Sequence, residues 1–210
     1  MPRCVIFCAG GFRQLLEEVK EEDYIIAADG GLAHAKKMRL QPDKIIGDFD
    51  SLGYVPDNAA LFPIEKDDTD TMLSVRHGLS LGYDSFLLYG SLDGPRPDHT
   101  IANFQTLQYL ADRDAHGYLV GLTHMATVIK NGSLSFPARA EGIVSVFCMG
   151  SDAKGVTLSG LKYTLHDGCL SAGFPLGVSN RFIGCEATVS VKDGSLLVLW
   201  EKAAGLPTRR

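Results

Sequence analysis

The chain has no stretch of about 18 consecutive apolar residues, so no transmembrane helix is expected. It has no surplus of positive charge either. Its 20 Lys and Arg against 25 Asp and Glu leave a net charge of −5, which argues against a broad nucleic-acid-binding face. Neither nucleic acid nor a membrane is therefore an expected partner. The five cysteines (4, 8, 148, 169 and 185) are odd in number and scattered. They form no Cys-x-x-Cys, so neither a zinc site nor a disulfide framework is indicated. Cys4 and Cys8 read as small core hydrophobes. No G-x-x-x-x-G-K-[ST] loop and no protein-kinase signature set occur, which excludes those two phosphate-handling scaffolds. The apolar run Val5–Ala9 is too short for a signal-peptide core, and with no export signal the expected place is the reducing cytosol. What remains is an ordinary globular composition, 45% apolar and 21% charged over 210 residues.

The pattern along the chain changes once. Through residue 126, short apolar runs alternate with helical spacing. Strands are expected at 5–9, 24–28, 44–47, 60–64, 85–89 and 118–122. Helices are expected at 12–20 (Phe12, Leu15, Leu16, Val19), 32–39, 70–81 and 99–112. Thr69 is the expected N-cap of the third helix and Gly82 its stop. The alternation predicts a mainly parallel, doubly wound α/β domain over 1–126. From 127 to 210 the helical period disappears. Runs of β character at 127–130, 134–136, 143–149, 155–165, 169–173, 186–191 and 195–200 predict an antiparallel β-sandwich or barrel. The tail 203–210 is expected to fray.

Four polar loops fall where strands of the first domain should end. They are Ala28-Asp29-Gly30-Gly31, Gly47-Asp48-Phe49-Asp50-Ser51, Lys66-Asp67-Asp68-Thr69-Asp70 and the stretch from Gly90 to His99, which includes Gly94, Arg96 and Asp98. In open α/β sheets, ligands bind beyond the carboxyl ends of the strands. Carboxylates gathered there repel one another and need a compensating charge. A hard divalent cation such as Mg²⁺ beside phosphates suits such ligands. Asp48 and Asp50, two apart, point the same way in an extended segment and so can reach one ion. Asp70 can supply a third oxygen. Lys66 and Arg96 are the natural phosphate partners, Arg through its bidentate fork. Gly30, Gly31, Gly90 and Gly94 let the backbone approach a nucleotide closely. Any one of these clusters alone reads as a solvated turn, since Asp and Gly dominate turns for local reasons. His34, His77 and His116 read as structural or surface residues.

Taken together, these motifs resemble those of the thiamine pyrophosphokinase family in order and spacing. Gly160-Leu161-Lys162-Tyr163 and Gly177-Val178-Ser179-Asn180 extend the resemblance to the family's thiamine-binding β domain. The resemblance implies a catalytic α/β domain that binds ATP and Mg²⁺, followed by a thiamine-binding β-sandwich. It implies a cytoplasmic homodimer whose active sites are shared between subunits, and transfer of diphosphate from ATP to thiamine. Carried over by position, Asp48, Asp50 and Asp70 are the implied metal ligands. Asp70, Asp98, Arg96 and Lys66 are the implied catalytic groups. Asp29, Gly30, Gly31, Gly90, Ser51 and Asp67 are the implied nucleotide contacts. Ser179 and Asn180 are implied to hydrogen-bond the aminopyrimidine, and Tyr163 falls where some members carry a tryptophan that packs on thiamine. The competing readings are a 6-hydroxymethylpterin diphosphokinase on the same scaffold, a non-catalytic thiamine or nucleotide sensor, and a plain Mg²⁺-dependent phosphatase using Asp48-x-Asp50, which the two-domain layout does not suit.

Overall fold

A computed structural model describes residues 2–47, 59–61, 68–138 and 142–210. The chain divides into two compact units, Met1–Leu122 and Thr123–Arg210, each with its own core.

The first unit is a mixed α/β layer structure. Its strands are β1 (Cys4–Phe7), β2 (Tyr24–Ala28), β3 (Lys44–Gly47), β4 (Ala59–Leu61), β5 (Ser85–Tyr89) and β6 (His116–Val120). All pair in parallel, in the order β6-β5-β1-β2-β3-β4. Among the described residues, three helices cross over between them: α1 (Gly31–Lys37), α2 (Asp70–Ser80) and α3 (Pro97–Ala111). A parallel sheet covered on both faces needs strands that are apolar on both sides. Accordingly every residue of β1 is buried, as is all of β2, β5 and β6 except the first residue of each. One face carries Ala27 and Ile45 against Leu32 of α1. On the other, α2 approaches so closely that a Cβ on Gly78 would lie 2.6 Å from the Phe86 ring.

Local signals place the helix ends. The Thr69 hydroxyl accepts the N–H of Met72 at 3.1 Å and caps α2. Gly82, at φ 88°, turns the chain out just past the cap residue Leu81. Pro97 occupies the first turn of α3, where its missing N–H costs nothing.

The expected helix at 12–20 does not form; these residues are irregular. Tertiary contacts override the spacing. The Phe12 ring sits edge-on to Phe7 and Tyr89, with centroids 5.6 and 5.5 Å away. The Leu16 N–H goes to the Tyr89 hydroxyl, and the Glu18 carbonyl accepts from Arg3. Backbone groups that a helix would pair internally are thus held by side chains.

The second unit is antiparallel. Its strands are β7 (His124–Lys130), β8 (Ser133–Phe136), β9 (Ile143–Ser159), β10 (Leu165–Leu170), β11 (Gly177–Arg181), β12 (Ala187–Ser190), β13 (Asp193–Glu201) and β14 (Thr208–Arg209). The long strand β9 organises the unit. Its first half lies between β13 and β11, and its second half pairs with β10 and β12. Gly150 and Gly155, at φ 79° and 65°, relieve the backbone along its length. The run expected at 155–165 is therefore the end of β9, and β10 begins only at Leu165. β11 was expected only as a motif, not as a strand. Phe136 of β8 meets Trp200 of β13 edge-on at 5.4 Å across the core. Such buried aromatic contacts favour edge-to-face geometry.

The tail does not fray. Trp200 Nε1 donates to the Gly205 carbonyl at 2.9 Å. Arg210 and Ser133 exchange two backbone hydrogen bonds, of 2.8 and 3.0 Å, and β14 extends the sheet beside β8. A terminus that supplies a strand is held by its ladder.

Candidate active site

Each unit carries a cavity. The one in the first unit, about 460 Å³, opens at the carboxyl ends of β1, β2 and β5 and at the start of α2. Backbone contacts knit its loops together. Gly10 N–H donates to Gly90 O at 2.9 Å, and Gly90 N–H to Val120 O at 3.0 Å. A Cβ on Gly10 would lie 2.5 Å from Gly90 O, and one on Gly31 only 1.9 Å from Phe7 O, so no side chain fits at either position. Asp29 has φ 48°, uncommon outside glycine, and its N–H donates to Ile46 O at 2.8 Å. That bond sets the end of β2 beside the end of β3.

Asp29, Asp70, Gly90 and Arg96 all line this cavity, as do Asp68, His99 and Asn103. Gly30 caps α1 and Gly31 is its first residue. Asp98 does not line the cavity. It holds Arg96 through two hydrogen bonds, at 2.6 and 3.3 Å, and that pairing lowers its pKa below the ordinary carboxylate value. Arg76 likewise pairs with Asp68. Cys8 also lines the cavity, but burial pushes its thiol up to about 11, so it is a neutral wall rather than a nucleophile. Asp48, Asp50, Ser51, Lys66 and Asp67 lie outside the described residues. Among the described residues, no three His, Cys, Asp or Glu side chains converge as a metal-holding group.

Sequence reasoning missed Asn103. It is buried on α3, and its Nδ2 donates to Ser91 O at 2.7 Å, while Ser91 Oγ donates to Leu88 O at 2.6 Å. The signal was available: Asn103 shares the inward face of α3 with Leu107 and Leu110, an apolar spacing in which an amide needs a reason.

The second cavity, about 520 Å³, is a groove of different character. Leu158, Leu165, Leu170, Leu176 and Val178 supply its apolar walls, and Tyr163, Ser179 and Asn180 also line it. Tyr163 is largely exposed, with Lys162 Nζ 5.4 Å from its ring centroid. Asn180 is buried and its carboxamide is engaged. Oδ1 accepts from the N–H groups of Tyr163 and Arg181 at 3.0 and 2.9 Å, and Nδ2 donates to Tyr163 O at 2.6 Å. Ser179 stands at φ 59°. That conformation costs a non-glycine residue roughly 1 kcal/mol or more, and such strain clusters at functional sites.

One unit thus offers carboxylates, an arginine and close backbone beyond parallel strands; the other offers an apolar groove with a polar end. Family comparison agrees with that division. Residues 15–119 match the thiamin pyrophosphokinase catalytic domain, and residues 133–196 match the thiamin pyrophosphokinase vitamin B1 binding domain. The chain belongs to the thiamin pyrophosphokinase family. A thiamine pyrophosphokinase of Bacillus subtilis (strain 168) is 25% identical over 204 residues, covering 91% of this chain and 95% of the relative. The solved Bacillus subtilis enzyme superposes with a TM-score of 0.83 at 23% identity, covering 96% of this chain and 99% of that one. The solved protein of Geobacillus thermodenitrificans gives a TM-score of 0.77 at 26% identity, covering 96% and 97%.

Proposed function

We propose that this chain transfers diphosphate from ATP to the hydroxyl of thiamine, giving thiamine diphosphate and AMP. The observation that carries the reading is the pairing, in one family member, of an acidic phosphate-type cavity with a separate apolar groove ending in Ser179, Asn180 and Tyr163. A 6-hydroxymethylpterin acceptor has no such specific support. A sensor that binds without turnover has no need of the carboxylates that line the first cavity.

ATP belongs to the first cavity. The glycine backbones of residues 30, 31 and 90 admit the nucleotide, and Arg96 contacts its phosphates, oriented by Asp98. Lys66, Ser51 and Asp67 complete the nucleotide contacts in this reading. The donors available at Asp29 and Asp70 are hard oxygens on neighbouring loops, a set that fits Mg²⁺. Asp48, Asp50 and Asp70 would hold the ion. When bound, Mg²⁺ supplies charge neutralisation for the phosphates. The chain's own residues do the rest by placing the acceptor hydroxyl in line with the β-phosphorus, so that AMP leaves. Of the two candidate bases, Asp70 lines the cavity, whereas the Asp98 carboxylate is committed to Arg96.

Thiamine belongs to the second cavity. The Ser179 hydroxyl and the remaining Asn180 N–H meet the aminopyrimidine, and Tyr163 offers an aromatic face to the cationic thiazolium. Homodimerisation in the cytoplasm, with active sites shared between subunits, belongs to the same reading. The exposed apolar side chains Phe174, Leu176 and Ile183 support it, because they give a second copy a surface to cover. The test is to incubate the protein with ATP and thiamine, with and without Mg²⁺, and to separate the products. AMP and thiamine diphosphate formed together, only with Mg²⁺, are expected. AMP release with a hydroxymethylpterin but not with thiamine overturns the acceptor.

A further inference from the structure

The ladder between β9 and β11 is interrupted at one point. Val146 pairs with Gly177 and Val144 pairs with Asn180, so two residues, Val178 and Ser179, stand opposite the single residue Ser145. This is a β-bulge, the kind of irregularity that re-aims side chains beside binding sites. It has a built support. The Ser145 side chain is buried, and its Oγ accepts the Ser179 N–H at 3.0 Å, a donor that the bulge removes from the regular ladder. Ser179 is held there at φ 59°. On one side Gly177 lets the strands close up, since a Cβ there would lie 2.3 Å from Val146 O. On the other, the Asn180 carboxamide ties the bulge to the Tyr163 peptide through bonds of 3.0 and 2.6 Å. Ser145 is the polar exception between Val144 and Val146, and hydrophobic burial alone gives no reason for a hydroxyl at that position.

We infer that Ser145 is a positioning residue for acceptor recognition: its hydroxyl holds the Val178–Ser179 bulge in the left-handed conformation that aims Ser179 into the groove. The inference rests on the proposal that thiamine occupies that groove. Without the Oγ acceptor, the Ser179 N–H loses its partner and the bulge can relax into the ladder, moving the Ser179 hydroxyl. The catalytic step, carried by the first unit, is untouched.

The test compares Ser145→Ala and Ser145→Thr with the wild-type enzyme in steady-state kinetics for both substrates. The near-UV circular dichroism of Trp200, the chain's one tryptophan, reports the core of the second unit. Ser145→Ala is expected to raise the KM for thiamine about tenfold, as loss of one buried hydrogen bond and its geometry predicts. Its kcat and ATP KM should stay within about twofold of wild type. Ser145→Thr, which keeps the acceptor, should recover most of the thiamine KM. A thiamine KM within twofold of wild type in Ser145→Ala overturns the inference while leaving the functional reading intact. So does a parallel rise in both KM values with loss of the Trp200 signal, which marks a merely structural hydroxyl. A wild-type protein that consumes ATP without a thiamine-derived product overturns both.

Discussion

The two units place polar groups beside their cavities in opposite ways. In the first, the strands are sealed on both faces, and chemistry is confined to the loops beyond their ends. The Asp29 N–H is held by Ile46 O and the Gly90 N–H by Val120 O, backbone bonds at the strand ends, while Arg96 is held by the Asp98 side chain. In the second, the sheet itself carries the site. β11 buries Gly177 and Asn180 and exposes Val178 and Ser179 between them, and this irregular stretch, with Ser179 in a strained conformation and Asn180 clamping Tyr163, forms the polar end of the groove. A parallel sheet separates stability from function spatially; an antiparallel strand with one open face combines them in adjacent residues.

That contrast can be broken by mutation. The largest effect is expected from Asp70→Asn. If the proposed reading holds, loss of this carboxylate from the first cavity should lower kcat by about 10²-fold or more while melting behaviour is preserved. Near-normal kcat in that variant removes Asp70 from the reaction. Next come two glycines whose Cβ atoms have nowhere to go. Gly31→Ala places a methyl 1.9 Å from Phe7 O, and Gly160→Ala places one 1.9 Å from Glu186 O at φ 66°. Each should cost about 3 kcal/mol of stability by overpacking. Gly31→Ala should raise the KM for ATP more than that for thiamine, and Gly160→Ala the reverse. Equal changes in both constants for either variant contradict the division of labour between the units.

A smaller effect concerns pH. His77 packs on Tyr24 and meets its hydroxyl through Nε2 at 3.3 Å. Burial, and then the nearby charge of Lys44, hold its pKa below the ordinary value. The folded state therefore binds the proton less well than the unfolded chain. Its contribution to stability is complete above about pH 6.5 and is lost as pH falls through the folded pKa. Urea denaturation at pH 7.5 and 5.5 should show a shallower loss of stability in His77→Phe than in wild type. An identical pH slope removes His77 from the account. The smallest effect is at Lys162, whose ammonium lies over the Tyr163 ring. In the proposed reading it competes with a cationic thiazolium for that face, so Lys162→Ala should lower the KM for thiamine about twofold. A raised KM instead makes Lys162 a binding group.

The same contrast explains what could be read from the residues alone. β2, β3, β5 and β6 announce themselves because continuous apolar burial leaves an unbroken run, as in Ser85-Phe86-Leu87-Leu88-Tyr89. α2 was legible at both ends through Thr69 and Gly82, whose roles are local. The segment 12–20 was not. Its spacing was helical, but Phe12 and Leu16 are claimed by Tyr89, which lies more than 70 positions away in the chain. β11 was illegible for a different reason. Its glycine, bulge and buried asparagine depart from strand chemistry at the residues that build the groove. The tail was misread because its pairing with β8 joins residues more than 70 positions apart in the chain. Residue type and loop position pointed to Asp29, Asp70 and Arg96, which line the first cavity. Asn103 and Ser145 were not legible, since each is a single polar residue within an apolar pattern and stands out only through its hydrogen-bond partner.

The central claim is that an intact diphosphate passes from ATP to thiamine. The most direct test follows two labels in parallel reactions with thiamine and Mg²⁺, one with ATP labelled at the α-phosphorus and one with ATP labelled at the γ-phosphorus. The account predicts that the α-label ends in AMP and the γ-label in thiamine diphosphate. A γ-label found in thiamine monophosphate, with the α-label in ADP, would mean single phosphoryl transfer and would contradict it.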